Sequence, residues 1–106
     1  MKEISPQEFY QQWQETSLHV LDVREVDEFV AGHVPDSHNL PLSQLEKLYQ
    51  DLDENTEYHV ICQAGKRSEK ASAFLDSQGY RVVNVQGGVA GFPGQLIKGE
   101  EVWKNI

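Results

Sequence analysis

Short apolar runs alternate with amphipathic segments along the chain. Runs rich in branched residues and bounded by polar turns predict buried strands, and apolar residues at three- and four-residue steps predict helices. The predicted strands are 18–23, 38–40, 58–62 and 81–85, and the predicted helices are 6–15, 25–31, 42–52 and 67–78.

Side chains typical of helix ends support several of these boundaries. Ser5 and Glu8 have the spacing of a capping box, with Pro6 at the first helical position. Ser43 and Glu46 have the same spacing at the start of the 42–52 helix. The tail holds the apolar residues Leu96, Val102 and Trp103, and the two tryptophans, Trp13 and Trp103, are predicted core or packing aromatics.

The alternation of strands and helices predicts an α/β fold. We expect a mostly parallel central sheet of about five strands with helices on both faces, in one domain spanning residues 1–106. Ligand sites in such sheets lie beyond the carboxyl ends of the strands. Cys62 ends one predicted strand, and Asp22 and Arg24 end another, so this edge is the candidate site.

The only cysteine of the chain stands between a predicted strand and a predicted helix. At such a junction, backbone N–H groups converge and the positive end of the helix dipole stabilises an anion. A thiol placed there is expected to ionise more easily than a free one. Gly65 allows the tight turn, and Lys66 and Arg67 add positive charge.

Composition narrows the functional classes. The net charge of −8 over 106 residues leaves no basic stripe for nucleic acid. A single cysteine is typical of a reducing compartment, and no apolar run has the length of a signal peptide or membrane span, so we expect a cytoplasmic protein without membrane contact. We expect no metal and no cofactor, since ligand spacings such as C-x-x-C are missing. Repulsion between acidic surfaces favours a monomer.

Three blocks of sequence together resemble the single-domain rhodaneses, a family of sulfurtransferases. The first block runs from Leu21-Asp22-Val23-Arg24-Glu25 through Glu28-Phe29 and Gly32-His33-Val34-Pro35-Asp36-Ser37 to Asn39-Leu40-Pro41. The second is Val60-Ile61-Cys62 with its loop to Ser68, and the third is Val83-Asn84-Val85 with Gly87-Gly88. Val89 and Phe92 stand where the family often has tryptophans.

The resemblance implies a rhodanese-like three-layer fold and a sulfur-transfer reaction. Cys62 would be the nucleophile that takes a sulfane sulfur from thiosulfate or another small anionic donor and passes it, as a persulfide, to cyanide or an external thiol, including a protein thiol. The loop residues would bind the substrate, and Arg67 is the side chain expected to contact the donor. This binding loop comprises Gln63, Ala64, Gly65, Lys66, Arg67 and Ser68.

Four further residues are predicted to support the loop. Asp22, Arg24 and Glu28 are interpreted as a charge network that braces the strand end against the next helix. His33 is interpreted as a hydrogen-bonding loop residue rather than a general base. An acid–base role for the carboxylates is the weaker alternative, because attack by an existing thiolate needs little proton transfer.

Two other functions stay open at this stage. A carrier module would hold the persulfide on Cys62 and pass it to a protein partner with little small-molecule turnover. A small phosphatase or arsenate reductase is disfavoured by loop length, since four residues separate Cys62 from Arg67 whereas the related phosphatases have five.

Overall fold

Five parallel strands form the centre of the fold in a computed structural model that describes residues 1–100. Their spatial order is β1-β5-β4-β2-β3, and every neighbouring pair is parallel. The sequence-based prediction of a mostly parallel sheet of about five strands is therefore confirmed. The strands are β1 (Lys2–Ile4), β2 (His19–Asp22), β3 (His38–Asn39), β4 (Glu57–Ile61) and β5 (Arg81–Val85).

Helices cover both faces of the sheet. They are α1 (Pro6–Glu15), α2 (Val26–Ala31), α3 (Leu45–Leu48) and α4 (Lys66–Ser77), with 3₁₀ turns at Leu42–Gln44, Tyr49–Asp51 and Val89–Gly91. Within residues 1–100, none of the helices combines the length and apolar character needed to cross a membrane.

Alternate residues of the central strands pack into two separate hydrophobic cores, one on each face of the sheet. Val60 packs with Ala71 and Leu75 of α4 on one face, whereas its neighbour Ile61 packs with Phe9 of α1 on the other. Successive side chains of a strand point to opposite faces, so a strand buried on both sides reads as a continuous apolar run. The result is the three-layer arrangement expected from the sequence.

The edge strand β1 was not predicted. It has only three residues, and Lys2 and Glu3 are exposed while Ile4 is buried. It pairs with β5 in the register Lys2–Val83, Glu3–Asn84 and Ile4–Val85. One apolar side chain after two charged ones leaves no periodic signal, so only the pairing with β5 defines this strand.

The first helix is confirmed, whereas the continuous helix predicted over 42–52 is wrong. Ser5 caps α1, since its Oγ accepts the Glu8 N–H at 3.1 Å. Ser43 does not cap a helix, because its hydroxyl instead donates to Glu25 Oε1 at 2.6 Å. Leu42 donates its N–H to the Val23 carbonyl at 2.9 Å, which ties this segment to the end of β2 as a 3₁₀ turn.

Packing of the first-helix tryptophan is also confirmed. The Trp13 ring meets Phe92 edge-on, with ring centroids 5.2 Å apart. Val102 and Trp103 lie outside the described residues. Gly79 ends α4 with φ +90°, and the Tyr80 N–H closes the turn on the Leu75 carbonyl at 3.0 Å.

Candidate active site

The candidate nucleophile lies at the carboxyl edge of the sheet, where the sequence placed it. Cys62 follows the central strand β4, and α4 begins four residues later at Lys66. The neighbouring strand β2 ends at Asp22, and the Val23 N–H extends the pairing to the Ile61 carbonyl at 2.9 Å. The two strand ends that carry candidate residues are therefore adjacent.

Polar groups of the loop lie within hydrogen-bond distance of the Cys62 sulfur. The Gly65 N–H donates to Sγ at 3.0 Å, and the Ser68 Oγ lies 3.4 Å from Sγ. Ser68 also lies 3.1 Å from the Gly65 carbonyl oxygen, to which its hydroxyl can donate. Since a hydroxyl carries one proton, ionisation of Cys62 would allow that proton to turn towards the sulfur.

The surroundings of Cys62 favour its anion. Burial is the largest influence and opposes ionisation, since the residue is only 1% exposed. Hydrogen bonds from the Ser68 hydroxyl and from the backbone N–H groups of Ser68, Gly65 and Ala64 together outweigh burial and lower the pKa of the thiol. The loop is therefore an anion cradle at the amino end of α4.

The backbone of Gly65 makes the cradle possible. This residue precedes α4 with φ +106° and ψ −14°, a left-handed conformation that glycine adopts without strain. The turn directs its N–H back at the sulfur three residues earlier. The tight turn expected at Gly65 from the sequence is present, and the contact of its N–H with the sulfur is an additional finding.

A second loop, residues 86–91, packs against the cysteine loop, residues 62–68, and donates two backbone hydrogen bonds to it. The Val89 N–H donates to the Cys62 carbonyl at 2.8 Å, and the Ala90 N–H donates to the Gln63 carbonyl at 3.0 Å. A Cβ on Gly88 would stand 2.3 Å from the Cys62 carbonyl oxygen, so the two backbones can approach this closely only at glycine. The sequence pattern did not predict this contact, for which the paired glycines Gly87 and Gly88 were the only signal.

Asp22 and Arg24 form a buried ion pair beneath the loop. Their side chains are 0% and 4% exposed, and Nη2 of Arg24 lies 2.8 Å from Oδ2 of Asp22. The same guanidinium donates to the Gly32 carbonyl at 2.8 Å and to Gln63 Oε1 at 3.2 Å. This arrangement connects the end of β2, the end of α2 and the cysteine loop. It is consistent with the bracing role expected for Asp22 and Arg24, which stays a prediction.

Glu28 pairs with Arg67 rather than with Arg24. Both carboxylate oxygens accept from the guanidinium, at 2.7 and 2.8 Å, and both side chains are about one-third exposed, at 34% and 36%. These hydrogen bonds lower the pKa of Glu28 from 4.5 to about 2. They also raise the pKa of Arg67, to which the negative charge of Cys62 adds. Sequence analysis did not foresee this pair.

The remaining candidates are three loop residues at the surface and the buried His33. Gln63, Ala64 and Lys66 are exposed. His33 is turned away towards α2, since its ring stacks on Phe29 with centroids 3.8 Å apart and its Nδ1 lies 2.8 Å from the Phe29 carbonyl oxygen. It is the hydrogen-bonding loop residue expected, although its contribution to function stays a prediction.

An open groove of about 560 Å³ borders the loop. Arg24, Glu28 and Gln63 form its polar side, and the other side is apolar. The apolar side is lined by Ala31, Val89, Ala90, Phe92 and Leu96. Across residues 1–100, no group of three or more His, Cys, Asp or Glu side chains is arranged to hold a metal ion.

Comparison with known proteins identifies the class. The rhodanese-like domain family matches residues 5–94, so this chain belongs to that family. A solved rhodanese-like domain protein from Staphylococcus aureus superposes with a TM-score of 0.82 at 28% identity, covering 98% of this chain and 100% of that one. The sequence-based assignment of family and fold is confirmed.

Two relatives of this chain carry names from sulfur metabolism. This chain is 40% identical over 80 residues to the Bacillus subtilis "Putative sulfur carrier protein YrkF", covering 74% of this chain but only 43% of that protein. It is 32% identical over 71 residues to a protein named "Sulfurtransferase" from Allochromatium vinosum, covering 66% of each.

Proposed function

We propose that this chain is a sulfurtransferase that moves a sulfane sulfur through a persulfide on Cys62. The observation that carries the proposal is the position of the Cys62 sulfur, buried in a loop whose Gly65 N–H points at it from 3.0 Å. The donor is thiosulfate or another sulfane-sulfur compound, and the acceptor is cyanide or a thiol. Family membership and the names of the relatives support sulfur transfer in general.

In the first half-reaction, the Cys62 thiolate attacks the outer sulfur of thiosulfate. A bond forms between Sγ and that sulfur, and the sulfur–sulfur bond of thiosulfate breaks with its electron pair leaving on sulfite. The enzyme keeps a persulfide that carries one negative charge. The same N–H groups that stabilise the thiolate can stabilise this persulfide anion.

In the second half-reaction, an acceptor attacks the terminal sulfur of the persulfide. Cyanide becomes thiocyanate and the Cys62 thiolate returns as the leaving group. Because Cys62 is the only cysteine of the chain, no internal thiol can release the sulfur as a disulfide. The acceptor is therefore external, and the two half-reactions predict ping-pong kinetics.

The loop residues have separate roles in this proposal. The backbone from Gln63 to Ser68 forms the cradle, and the Ser68 hydroxyl supports the sulfur anion. Arg67 and the exposed Lys66 would supply positive charge to an anionic donor, although Arg67 is already paired with Glu28. Asp22 and Arg24 support the loop, because Arg24 donates a hydrogen bond to Gln63 and is itself held by Asp22.

A persulfide carrier is the second candidate function. The observation that favours it is the similarity to YrkF, whose name describes a sulfur carrier. A carrier would form the same Cys62 persulfide but would deliver it to a protein thiol with little turnover on cyanide. The two functions share the first half-reaction and differ only in the second.

Steady-state kinetics with thiosulfate and cyanide would test the proposal. A sulfurtransferase gives thiocyanate with parallel double-reciprocal lines, and a Cys62→Ser variant gives none. A wild-type protein that releases one equivalent of sulfite and then stalls until a protein thiol is added is a carrier. Absence of sulfite release from thiosulfate, together with no persulfide on Cys62 after incubation with other sulfane donors, would contradict both functions.

A further inference from the structure

Both arginines of the site are already neutralised by carboxylates. Arg24 is paired with Asp22 at 2.8 Å, and both Nη atoms of Arg67 are held by the two oxygens of Glu28 at 2.7 and 2.8 Å. The two guanidinium groups therefore bring no net charge to a donor, and the exposed Lys66 supplies the positive charge of the loop. A site built to attract a dianion would be expected to leave at least one guanidinium unpaired.

Glu28 stands where an incoming donor would feel its charge. Glu28 lines the groove together with Gln63, which belongs to the loop that follows Cys62. Its side chain is 34% exposed, so it faces the groove rather than the core. With its pKa lowered to about 2, Glu28 carries its negative charge at neutral pH.

We propose that Glu28 determines donor specificity by neutralising Arg67, so that the site favours monoanionic sulfane-sulfur donors over dianions. The preferred class comprises thiosulfonates and hydropersulfides, and the disfavoured class includes thiosulfate. The inference rests on the proposed sulfur transfer at Cys62. Its physical basis is that a donor must approach the Cys62 thiolate, whose repulsion grows with each negative charge on the donor, and that the neutralised Arg67 does not offset this repulsion.

Two donors of nearly the same shape isolate this effect. Methanethiosulfonate has a methyl group in place of one charged oxygen of thiosulfate, so it carries one negative charge rather than two at neutral pH. Attack by the Cys62 thiolate on its terminal sulfur forms the same persulfide. The sulfur–sulfur bond breaks with its electron pair on methanesulfinate, just as thiosulfate releases sulfite.

The test measures kcat/KM for each donor with cyanide as the common acceptor. In a ping-pong reaction this constant reports only the donor half-reaction, and the ratio of the two donors cancels changes in thiol reactivity. Glu28→Gln is expected to raise the ratio of thiosulfate to methanethiosulfonate by about tenfold, the effect of one partly screened unit charge at close range. Glutamine can still accept the Glu25 N–H, now at 3.2 Å from Glu28, so the start of α2 is preserved.

Asp27→Asn is the matched control. Asp27 lies on the same helix, is exposed, and does not line the groove. The Asp27→Asn substitution removes one negative charge from the protein, as Glu28→Gln does. The donor ratio is expected to stay within about twofold of wild type, because solvent screens a charge that faces away from the site.

A charge series distinguishes specificity from a structural role. Arg67→Gln leaves Glu28 unpaired and is expected to lower the ratio below wild type. The double variant Glu28→Gln/Arg67→Gln returns the net charge of the pair to zero, and its ratio is expected to return close to wild type. Loss of structure would instead lower kcat/KM for both donors by the same factor and leave their ratio unchanged.

Three results would overturn the inference. One is a ratio in Glu28→Gln within twofold of wild type, and another is a fall in that ratio, which would mean that Glu28 presents Arg67 to thiosulfate. The third is failure of the double variant to restore the ratio. In all three the wild type still transfers sulfur, whereas a wild type inactive with both donors would overturn the proposed function itself.

Discussion

The close approach of Gly88 to the cysteine loop makes a strong prediction about stability. In Gly88→Ala, the new Cβ would stand 2.3 Å from the Cys62 carbonyl oxygen and 2.6 Å from the carbonyl carbon and oxygen of Gln63. All three are backbone atoms, so no side-chain rotation can relieve the overlap. Gly88 also has φ +57° and ψ −155°, a conformation that is essentially restricted to glycine.

The expected cost follows from these two effects. The backbone conformation alone costs ~1–3 kcal/mol for a non-glycine residue. Displacement of the loop would also weaken the hydrogen bonds from Val89 to Cys62 and from Ala90 to Gln63, at ~1 kcal/mol each. We therefore expect the free energy of unfolding to fall by about 3–5 kcal/mol, a large part of the stability of a small domain.

Urea unfolding monitored by circular dichroism would measure this loss, with Gly79→Ala as the control. Gly79 has φ +90°, but a Cβ there would meet nothing within 4 Å. Its substitution should therefore cost only the conformational strain, about 1 kcal/mol. Equal losses in the two variants would refute the claim that the 86–91 loop shapes the site through close backbone contact.

Three further predictions concern the polar groups of the site. Ser68→Ala removes a hydrogen bond that lowers the pKa of the Cys62 thiol, so the pH profile of alkylation by iodoacetamide should move to higher pH, with the rate at neutral pH about fivefold lower. Asp22→Asn leaves Arg24 buried without its counter-charge, and urea unfolding should show a loss of about 3 kcal/mol. Because Glu28 has a folded-state pKa of about 2 against an ordinary 4.5, its ion pair should stabilise the fold fully above pH 4.5 and lose that effect as the pH falls towards 2. Solvent screening limits this contribution to about 1 kcal/mol, measurable as the difference in unfolding free energy between wild type and Glu28→Gln at pH 6 and pH 3.

Neighbouring residues provide the controls for these variants. Ser72 is also buried on α4, but its hydroxyl has no hydrogen-bond partner among the described residues, so Ser72→Ala should leave the alkylation profile unchanged. Asp27→Asn should change stability by less than about 0.5 kcal/mol, as expected for an exposed carboxylate. The first prediction would be contradicted by an unchanged alkylation profile in Ser68→Ala, and the second by an unchanged free energy of unfolding in Asp22→Asn. The third would be contradicted if the difference in unfolding free energy between wild type and Glu28→Gln were the same at pH 6 and pH 3.

The place of the site was predictable because it depends on local order along the chain. A strand that leads into a helix puts the intervening residues at the carboxyl edge of a parallel sheet, so the position of Cys62 followed from the pattern. Asp22 also follows from this pattern, because it ends another predicted strand at the same edge of the sheet. Buried strands and capped helices leave periodic signals, and most of these elements were found.

The unpredicted features depend on contacts between distant segments. Glu28 and Arg67 are 39 residues apart, and either could have paired with another charge. The contact of Gly88 with the Cys62 backbone joins two loops that have no common pattern. The 42–52 segment carried a helical pattern, but Glu25 draws away the Ser43 hydroxyl that would have capped it.

Intact mass spectrometry of a single turnover tests the central claim most directly. Incubation with thiosulfate or methanethiosulfonate, followed by removal of the donor, should increase the mass by one sulfur atom, and cyanide should then restore the original mass. Cys62→Ser should show no increase although it stays folded. A wild-type protein that gains no sulfur from either donor, or a gain that persists in Cys62→Ser, would contradict sulfur transfer through a Cys62 persulfide.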